Sequence, residues 1–276
     1  MSKIRVLYHA SCFDGFCAAW VAWNHLTGDD IQFIPVQYSQ PVPLDLEDAV
    51  VYILDFSYNK ETMHRICDRA RQVICLDHHK TAEAELENIE TGQERTSFDN
   101  LTLVFDMTKS GARLTWEHFQ NEAVPPWQVL YTEDRDLWKW ELPGSREVND
   151  GLRTYPFDFK IWNELYSDDV FEAGIILSRY LELIVEGAKE NAVMINIPHC
   201  DVPVPVVNCT MRDVISDLAG QLAEETGVGG TYFVHGDGYY VYSLRSRGEI
   251  DVSAIAKMHD GGGHAKAAGF KSDVLL

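Results

Sequence analysis

Through the first half of the chain, short apolar runs bounded by turn signals alternate with stretches of helical periodicity. The runs are Ile4 to Tyr8, Ile31 to Gln37, Val50 to Asp55 and Val73 to Asp77, and three of them close on an acidic residue or a histidine. Helical patterns over Gly15 to Leu26 and Lys60 to Arg71 complete a β-α-β-β-α-β alternation. Parallel strands need long crossover connections, usually helices, so this alternation predicts an α/β fold with a parallel, doubly wound sheet. Polar groups at the C-terminal strand ends of such a sheet converge on one crevice.

A further strand is expected at Leu101 to Asp106, then a helix beginning near Ser110-Gly111-Ala112 and another opened by Pro125-Pro126 and ending near Glu133. From Val170 to Val193, Phe171, Ile175, Leu181, Ile184 and Val185 fall close to a helical stripe, suited to a long helix joining two bodies. Pro198, Pro203 and Pro205 then punctuate the chain. Beyond them come a helical segment at Arg212 to Thr226, strand-like Thr231 to His235 and Tyr239 to Arg245, a short helix at Ser253 to Met258, and a glycine-rich turn. At 276 residues two domains are expected: a catalytic domain over 1–168, a linker helix over 169–196, and a smaller mixed α/β domain over 197–276.

The formal net charge of -20 repels polyanions and lacks the basic footprint by which proteins grip long duplexes. A phosphate-bearing ligand must therefore be drawn in locally, which favours short substrates. No stretch reaches the apolar length of a membrane span, and Lys3-Ile4-Arg5-Val6 leads into a strand pattern instead of a signal peptide, so a cytoplasmic protein with no membrane partner is expected. The cysteines at 12, 17, 67, 75, 200 and 209 are scattered without zinc-type pairs, which argues against disulfides.

Four polar clusters carry chemistry. Tyr8-His9-Ala10-Ser11-Cys12-Phe13-Asp14-Gly15 follows the first strand, and taken alone its His and Asp do no more than cap a helix. Leu54-Asp55-Phe56-Ser57 follows another strand and alone reads as a routine N-cap. Leu76-Asp77-His78-His79-Lys80 is more specific, because a carboxylate and two imidazoles in succession are costly to cluster unless something binds them. Glu133-Asp134-Arg135-Asp136-Leu137-Trp138-Lys139-Trp140 reads equally as a charged turn anchored by two tryptophans. Two divalent ions can clamp a phosphoryl group and turn water into hydroxide near neutral pH, and holding them takes several oxygen and imidazole ligands. A set of Asp and His suits manganese better than thiolate-loving metals, with magnesium and cobalt as alternatives.

Asp77-His78-His79, preceded by the strand that ends in Asp55 and followed by Asp136-Leu137-Trp138, resembles the motif series of the DHH superfamily of phosphoesterases. The resemblance extends to Ser243-Leu244-Arg245-Ser246 and to Gly261-Gly262-Gly263-His264, which look like the superfamily's C-terminal substrate-binding domain. Independently, three glycines let backbone amides approach an anion, and His264 and Arg245 would add charge-assisted bonds.

The resemblance implies two metal ions, with His9, Asp14, Asp55, His78 and Asp136 as ligands and Asp55 bridging; Asp134 competes with Asp136. It implies that His79 contacts phosphate or serves the leaving group, while Asp77 orients an imidazole. Arg245, Ser246, Gly261, Gly262, Gly263 and His264 would bind substrate. One position departs from the pattern: Cys12 stands where the superfamily carries the first of two aspartates, and a metal-bound thiolate and a neutral packed thiol both remain open. The expected activity is hydrolysis of short single-stranded oligonucleotides or dinucleotides to nucleoside 5′-monophosphates. Tyr239, Tyr240 and Tyr242 are candidates to stack a base. Exopolyphosphatase activity and a non-catalytic nucleotide sensor are the alternatives, and a homo-oligomer is left open.

Overall fold

The computed structural model describes residues 3–37, 40–43, 45–86, 99–120 and 124–276. The chain divides into two compact units, Met1–Ile176 and Leu177–Leu276. The first contains β1 (Ile4–His9), α1 (Phe13–His25), β2 (Ile31–Val36), β3 (Val50–Leu54), α2 (Lys60–Cys67) and β4 (Gln72–Asp77). It continues with α3 (Lys80–Leu86), β5 (Leu101–Phe105), α4 (Gly111–Phe119), α5 (Trp127–Asp136), α6 (Ser145–Leu152) and α7 (Phe159–Glu164).

Its five strands are all parallel, in the order β2-β1-β3-β4-β5. Strand alternation sends successive side chains to opposite faces. Val6, Leu54, Ile74 and Leu76 pack with Phe16, Trp20 and Val21 of α1 and with Leu114 of α4 and Val129 of α5. Leu7, Val51, Ile53, Val73 and Cys75 pack on the other face with Met63 and Ile66 of α2 and Leu86 of α3. Burial on both faces explains why these strands read as nearly unbroken apolar runs. Each fully buried Leu or Ile contributes about 1.5–3 kcal/mol, and together they make the sheet a rigid base for its edge residues.

Helix α8 (Ser167–Lys189) runs across the division between the units. The second unit adds β6 (Val193–Ile195), β7 (Val204–Asn208), α9 (Arg212–Thr226), β8 (Val228–Val234), β9 (Tyr240–Ser246), α10 (Val252–Lys257), β10 (Gly262–His264) and β11 (Ala267–Ser272). Its six-stranded sheet has the order β10-β11-β9-β8-β7-β6; β7 and β8 pair parallel and the other neighbours antiparallel. Leu181 and Val185 of α8 pack with Val214, Leu218 and Leu222 of α9. Tyr242, Leu244 and Phe270 pack with Val252 and Ile255 of α10.

The fold is thus a parallel doubly wound sheet with a second, smaller mixed α/β unit. The stretch 169–196, expected as a linker helix, holds most of α8 and all of β6. Pro205, read as punctuation, lies within β7 opposite Met194 of β6. The glycine run expected as a turn instead forms β10 from Gly262 onward, paired with β11. Helices α3, α6 and α7, of 7, 8 and 6 residues, are too short to show a helical period in the sequence. Among the described residues, no helix is long and apolar enough to cross a membrane.

Candidate metal centre

His9 ends β1, Asp55 follows β3 and Asp77 ends β4, so three adjacent strands deliver polar groups to one edge of the sheet. Strand order reverses between β1 and β3, where a doubly wound sheet opens its crevice, and His9 and Asp55 stand on either side of that point. Asp55 has a left-handed backbone, φ 62°, which costs a non-glycine residue about 1–2 kcal/mol. Its N–H donates to the Leu76 carbonyl at 3.0 Å, tying it to β4.

The Asp55 carboxylate faces two ways. Oδ1 lies 3.1 Å from His78 Nε2, and Oδ2 lies 3.4 Å from His9 Nδ1. Asp14 Oδ2 and Asp136 Oδ2 approach the same His78 nitrogen at 3.4 and 3.5 Å. Asp14, Asp55 and His78 offer ligand atoms within 4.8 Å of one another, as do His9, Cys12 and Asp55, and as do Asp55, Asp77 and His79. Asp55 belongs to all three sets. Its Oδ2 is buried and makes no hydrogen bond, which is costly for a carboxylate oxygen unless a cation takes its place. Oxygen and imidazole donors arranged in this way fit a hard or borderline divalent ion.

Asp14 stands in the first turn of α1, and its oxygens also accept from the Gly111 and Ala112 N–H groups at 2.6 and 2.8 Å. These are the opening amides of α4, whose N-cap Ser110 accepts from Arg113 N–H. Gly111 sits so close that a Cβ there would lie 2.6 Å from the Asp55 Cβ, and a Cβ at Gly15 would lie 2.3 Å from the His9 carbonyl oxygen. In the sequence, Gly111 and Gly15 mark only helix starts. A small residue beside a suspected ligand was the available signal for their role.

In α5 the two aspartates part company. Asp134 is buried and its carboxylate accepts from the Glu141 and Leu142 N–H groups at 2.9 and 3.4 Å, closing the turn that follows the helix. Asp136 is directed toward His78. Asp77, fully buried, accepts at Oδ1 from the backbone N–H groups of His78 and His79, at 2.7 and 3.2 Å, and from His79 Nδ1 at 2.7 Å.

Three carboxylates thus share one imidazole at close range. Burial and the charges of Asp55 and Asp136 push Asp14 well above the usual carboxylate range. Burial also opposes ionisation of Asp55, but the imidazoles of His78 and His9 outweigh that and hold it well below. Asp136 rises through burial and the Asp55 charge, though 27% of its side chain remains exposed and solvent tempers the effect. Burial disfavours the charged His78 ring, yet Asp55, Asp136 and Asp14 raise its pKa to about 10. Burial opposes the charged His79 ring as well, and Asp77 more than offsets it. Burial and the neighbouring carboxylates push the Cys12 thiol well up, so without a cation it stays protonated. The cluster is an excess of negative charge in search of a positive partner.

In the second unit, His264 pairs with Ala267 and Ala267 with Arg245, so His264 and Arg245 lie in one cross-strand row, on one face, with a small residue between. Arg245 Nη2 donates to Ser216 Oγ of α9 at 2.7 Å. Ser246, next along β9, faces the opposite way and is buried, its hydroxyl reaching the Gly248 carbonyl at 3.4 Å. Gly261 donates its N–H to the Ala256 carbonyl at 2.8 Å. Gly263 has φ 135°, and a Cβ there would lie 2.5 Å from the Ala267 oxygen. Close packing against β11 requires glycine at 261 and 263. Tyr242 is buried against Phe270 and cannot stack a base, while Tyr239 stacks on His235 and Tyr240 lies by Tyr232.

Residues 204–274 match the DHHA1 domain family. The chain is 30% identical over 289 aligned positions to an uncharacterised protein of Acanthamoeba polyphaga mimivirus, covering 96% of this chain and 66% of that one. It is 27% identical to oligoribonuclease NrnB of Bacillus subtilis, covering 90% and 65%. In structure it resembles RecJ in complex with Mn2+ from Thermus thermophilus, at TM-score 0.53 and 17% identity over 98% of this chain and 49% of that chain. The chain belongs to the DHH phosphoesterase superfamily. It spans about two thirds of the length of the curated relatives it matches. The PggH pGpG-specific phosphodiesterase of Vibrio cholerae has the same fold, at TM-score 0.52 and 16% identity over 98% and 93% of the two chains. The DHH triplet itself is Asp77-His78-His79, at the end of β4.

Proposed function

We propose that this protein hydrolyses phosphodiester bonds of short oligonucleotides or dinucleotides, releasing nucleoside 5′-monophosphates, with two divalent ions, manganese first among them. The observation that carries the reading is Asp55, one carboxylate common to two ligand sets at the strand-order reversal. His9 and Cys12 would complete one set and Asp14, His78 and Asp136 the other, with Asp55 common to both; Asp134 is committed to the backbone. Bound ions supply charge neutralisation at a phosphoryl oxygen and a more acidic water.

The chain's own groups do the rest. With Nδ1 held by Asp77, the His79 ring presents Nε2 as its second proton-bearing atom, and the Asp77 carboxylate favours its charged form. Water adds at phosphorus, the bond to the leaving oxygen breaks, and that oxygen takes the Nε2 proton. His79 is then reprotonated with the proton the water lost. Arg245, braced by Ser216, and His264 would add charge-assisted bonds to a substrate phosphate. The likeness to an oligoribonuclease and the net charge of -20 favour short substrates.

The test is a product assay with manganese on a dinucleotide, an oligoribonucleotide, a cyclic dinucleotide and polyphosphate, alongside thermal unfolding with and without the ion. Mononucleotide release from the short substrates, lost in excess chelator, is expected. Manganese at about 100 times its dissociation constant should add about 2.7 kcal/mol of stability. Full activity in chelator would overturn the metal reading. Phosphate release from polyphosphate alone would overturn the substrate assignment.

A further inference from the structure

We infer that Ser57 is a positioning residue that holds the Asp77–His79 pair in register with the metal centre; this rests on His79 as the leaving-group donor. Ser57 belongs to the loop that Asp55 opens after β3, while Asp77 and His79 belong to the end of β4. Its hydroxyl donates to Asp77 Oδ2 at 2.6 Å, and both groups are buried. Two neighbours fix the direction of that donation. Asp77 Oδ1 already accepts three N–H donors, as an acceptor-only carboxylate does, so the hydroxyl is the donor at Oδ2. The Cys75 thiol lies 3.3 Å from Ser57 Oγ and is directed to the Phe56 carbonyl at 3.7 Å, so it does not compete for Asp77.

The two Asp77 oxygens carry different loads. Oδ1 gathers the His78 and His79 backbone N–H groups and His79 Nδ1, whereas the hydrogen bond at Oδ2 comes from Ser57. Without the hydroxyl, a fully buried carboxylate oxygen loses its donor, and the carboxylate gains reason to turn away from the imidazole. The same contact joins the loop bearing Asp55 to the strand bearing His79, beside the Asp55 N–H bond to Leu76. Ser57 thereby sets the distance between the residue that carries the ions and the residue that carries the proton. A substituted partner of this kind typically costs about 10- to 100-fold.

The experiment uses the full chain. In the metal-free protein, ¹H–¹⁵N NMR of the histidine rings should show a slowly exchanging Nδ1 proton on His79; Ser57→Ala should broaden or lose it, and Cys75→Ala, which disturbs the same pocket without touching the Asp77 bond, should keep it. With manganese, Ser57→Ala should lower kcat on a dinucleotide about 10- to 100-fold with little change in KM. The loss should shrink for a p-nitrophenyl nucleotide ester, whose leaving group needs no proton. A wild-type protein with no protected Nδ1 proton on His79 would overturn the inference without any variant. So would Ser57→Ala with wild-type signal and kcat, or an equal loss on both substrates. If the wild-type protein cleaves no phosphodiester, the functional reading fails, and the metal-free spectra still decide whether Ser57 positions His79.

Discussion

Replacing Gly111 by alanine should damage the metal centre. The added Cβ would lie 2.6 Å from the Asp55 Cβ, 2.9 Å from its Cα and 3.0 Å from Oδ1. Carbon atoms rest at about 3.5–4.0 Å, so α4 and the Asp55 loop must separate by about 1 Å. Asp55 is pinned by its left-handed backbone and its bond to Leu76, so the helix is the part that yields. A shift of that size would stretch the Gly111 and Ala112 bonds to Asp14, now 2.6 and 2.8 Å, beyond hydrogen-bonding range. Overpacking costs about 1–3 kcal/mol and each charge-assisted bond about 1.5–3 kcal/mol, against a helix-propensity gain of at most about 1 kcal/mol. The net expectation is about 3–9 kcal/mol of lost stability. Displacing a catalytic group by about 1 Å costs about 100-fold in rate, so turnover should fall at least that far. Urea unfolding and manganese-supported kinetics on a dinucleotide read the two effects. Gly187→Ala, on α8 with nothing within 4 Å of the new Cβ, is the control and should gain up to about 1 kcal/mol. Wild-type stability and turnover in Gly111→Ala would refute the reasoning.

Three further outcomes follow from the same geometry. Asp55→Ala should retain cooperative unfolding while turnover falls by at least about 100-fold, and a protein active with alanine there would remove Asp55 from the centre. Asp134→Ala should cost about 2–4 kcal/mol in denaturant unfolding, because two turn amides lose their acceptor, whereas Asp134→Asn keeps one acceptor and should lose about half as much. Equal stability of all three proteins would show the turn is held otherwise. Arg245→Ala should raise KM more than it lowers kcat, and Ser216→Ala should do so more weakly; an unchanged KM in both would place the substrate elsewhere.

The sheet was legible because its chemistry is periodic: apolar runs buried on both faces announce parallel strands, and polar residues at their ends announce the crevice edge. That much brings His9, Asp55 and Asp77 to one side. What a linear pattern cannot carry is direction. Asp134 and Asp136 stand two residues apart on one helix and must point to different sides, but which side meets His78 depends on how α5 packs. Ser57 read as a routine cap because its partner, Asp77, lies 20 positions away. The close packing of Gly261 and Gly263 against β11 has no mark of its own in the sequence, because glycine also serves turns. Strain was invisible for a related reason: Ser11, Asp55 and Trp138, at φ 57°, 62° and 56°, adopt a conformation their side chains disfavour, and each stands within two residues of a candidate ligand. Local preference is overruled there because three strand ends and two helices must meet at one carboxylate, and the stability of the doubly wound core sustains the cost. A variant that relaxed Asp55 to an ordinary backbone would satisfy the local preference and lose the shared carboxylate on which both ligand sets depend.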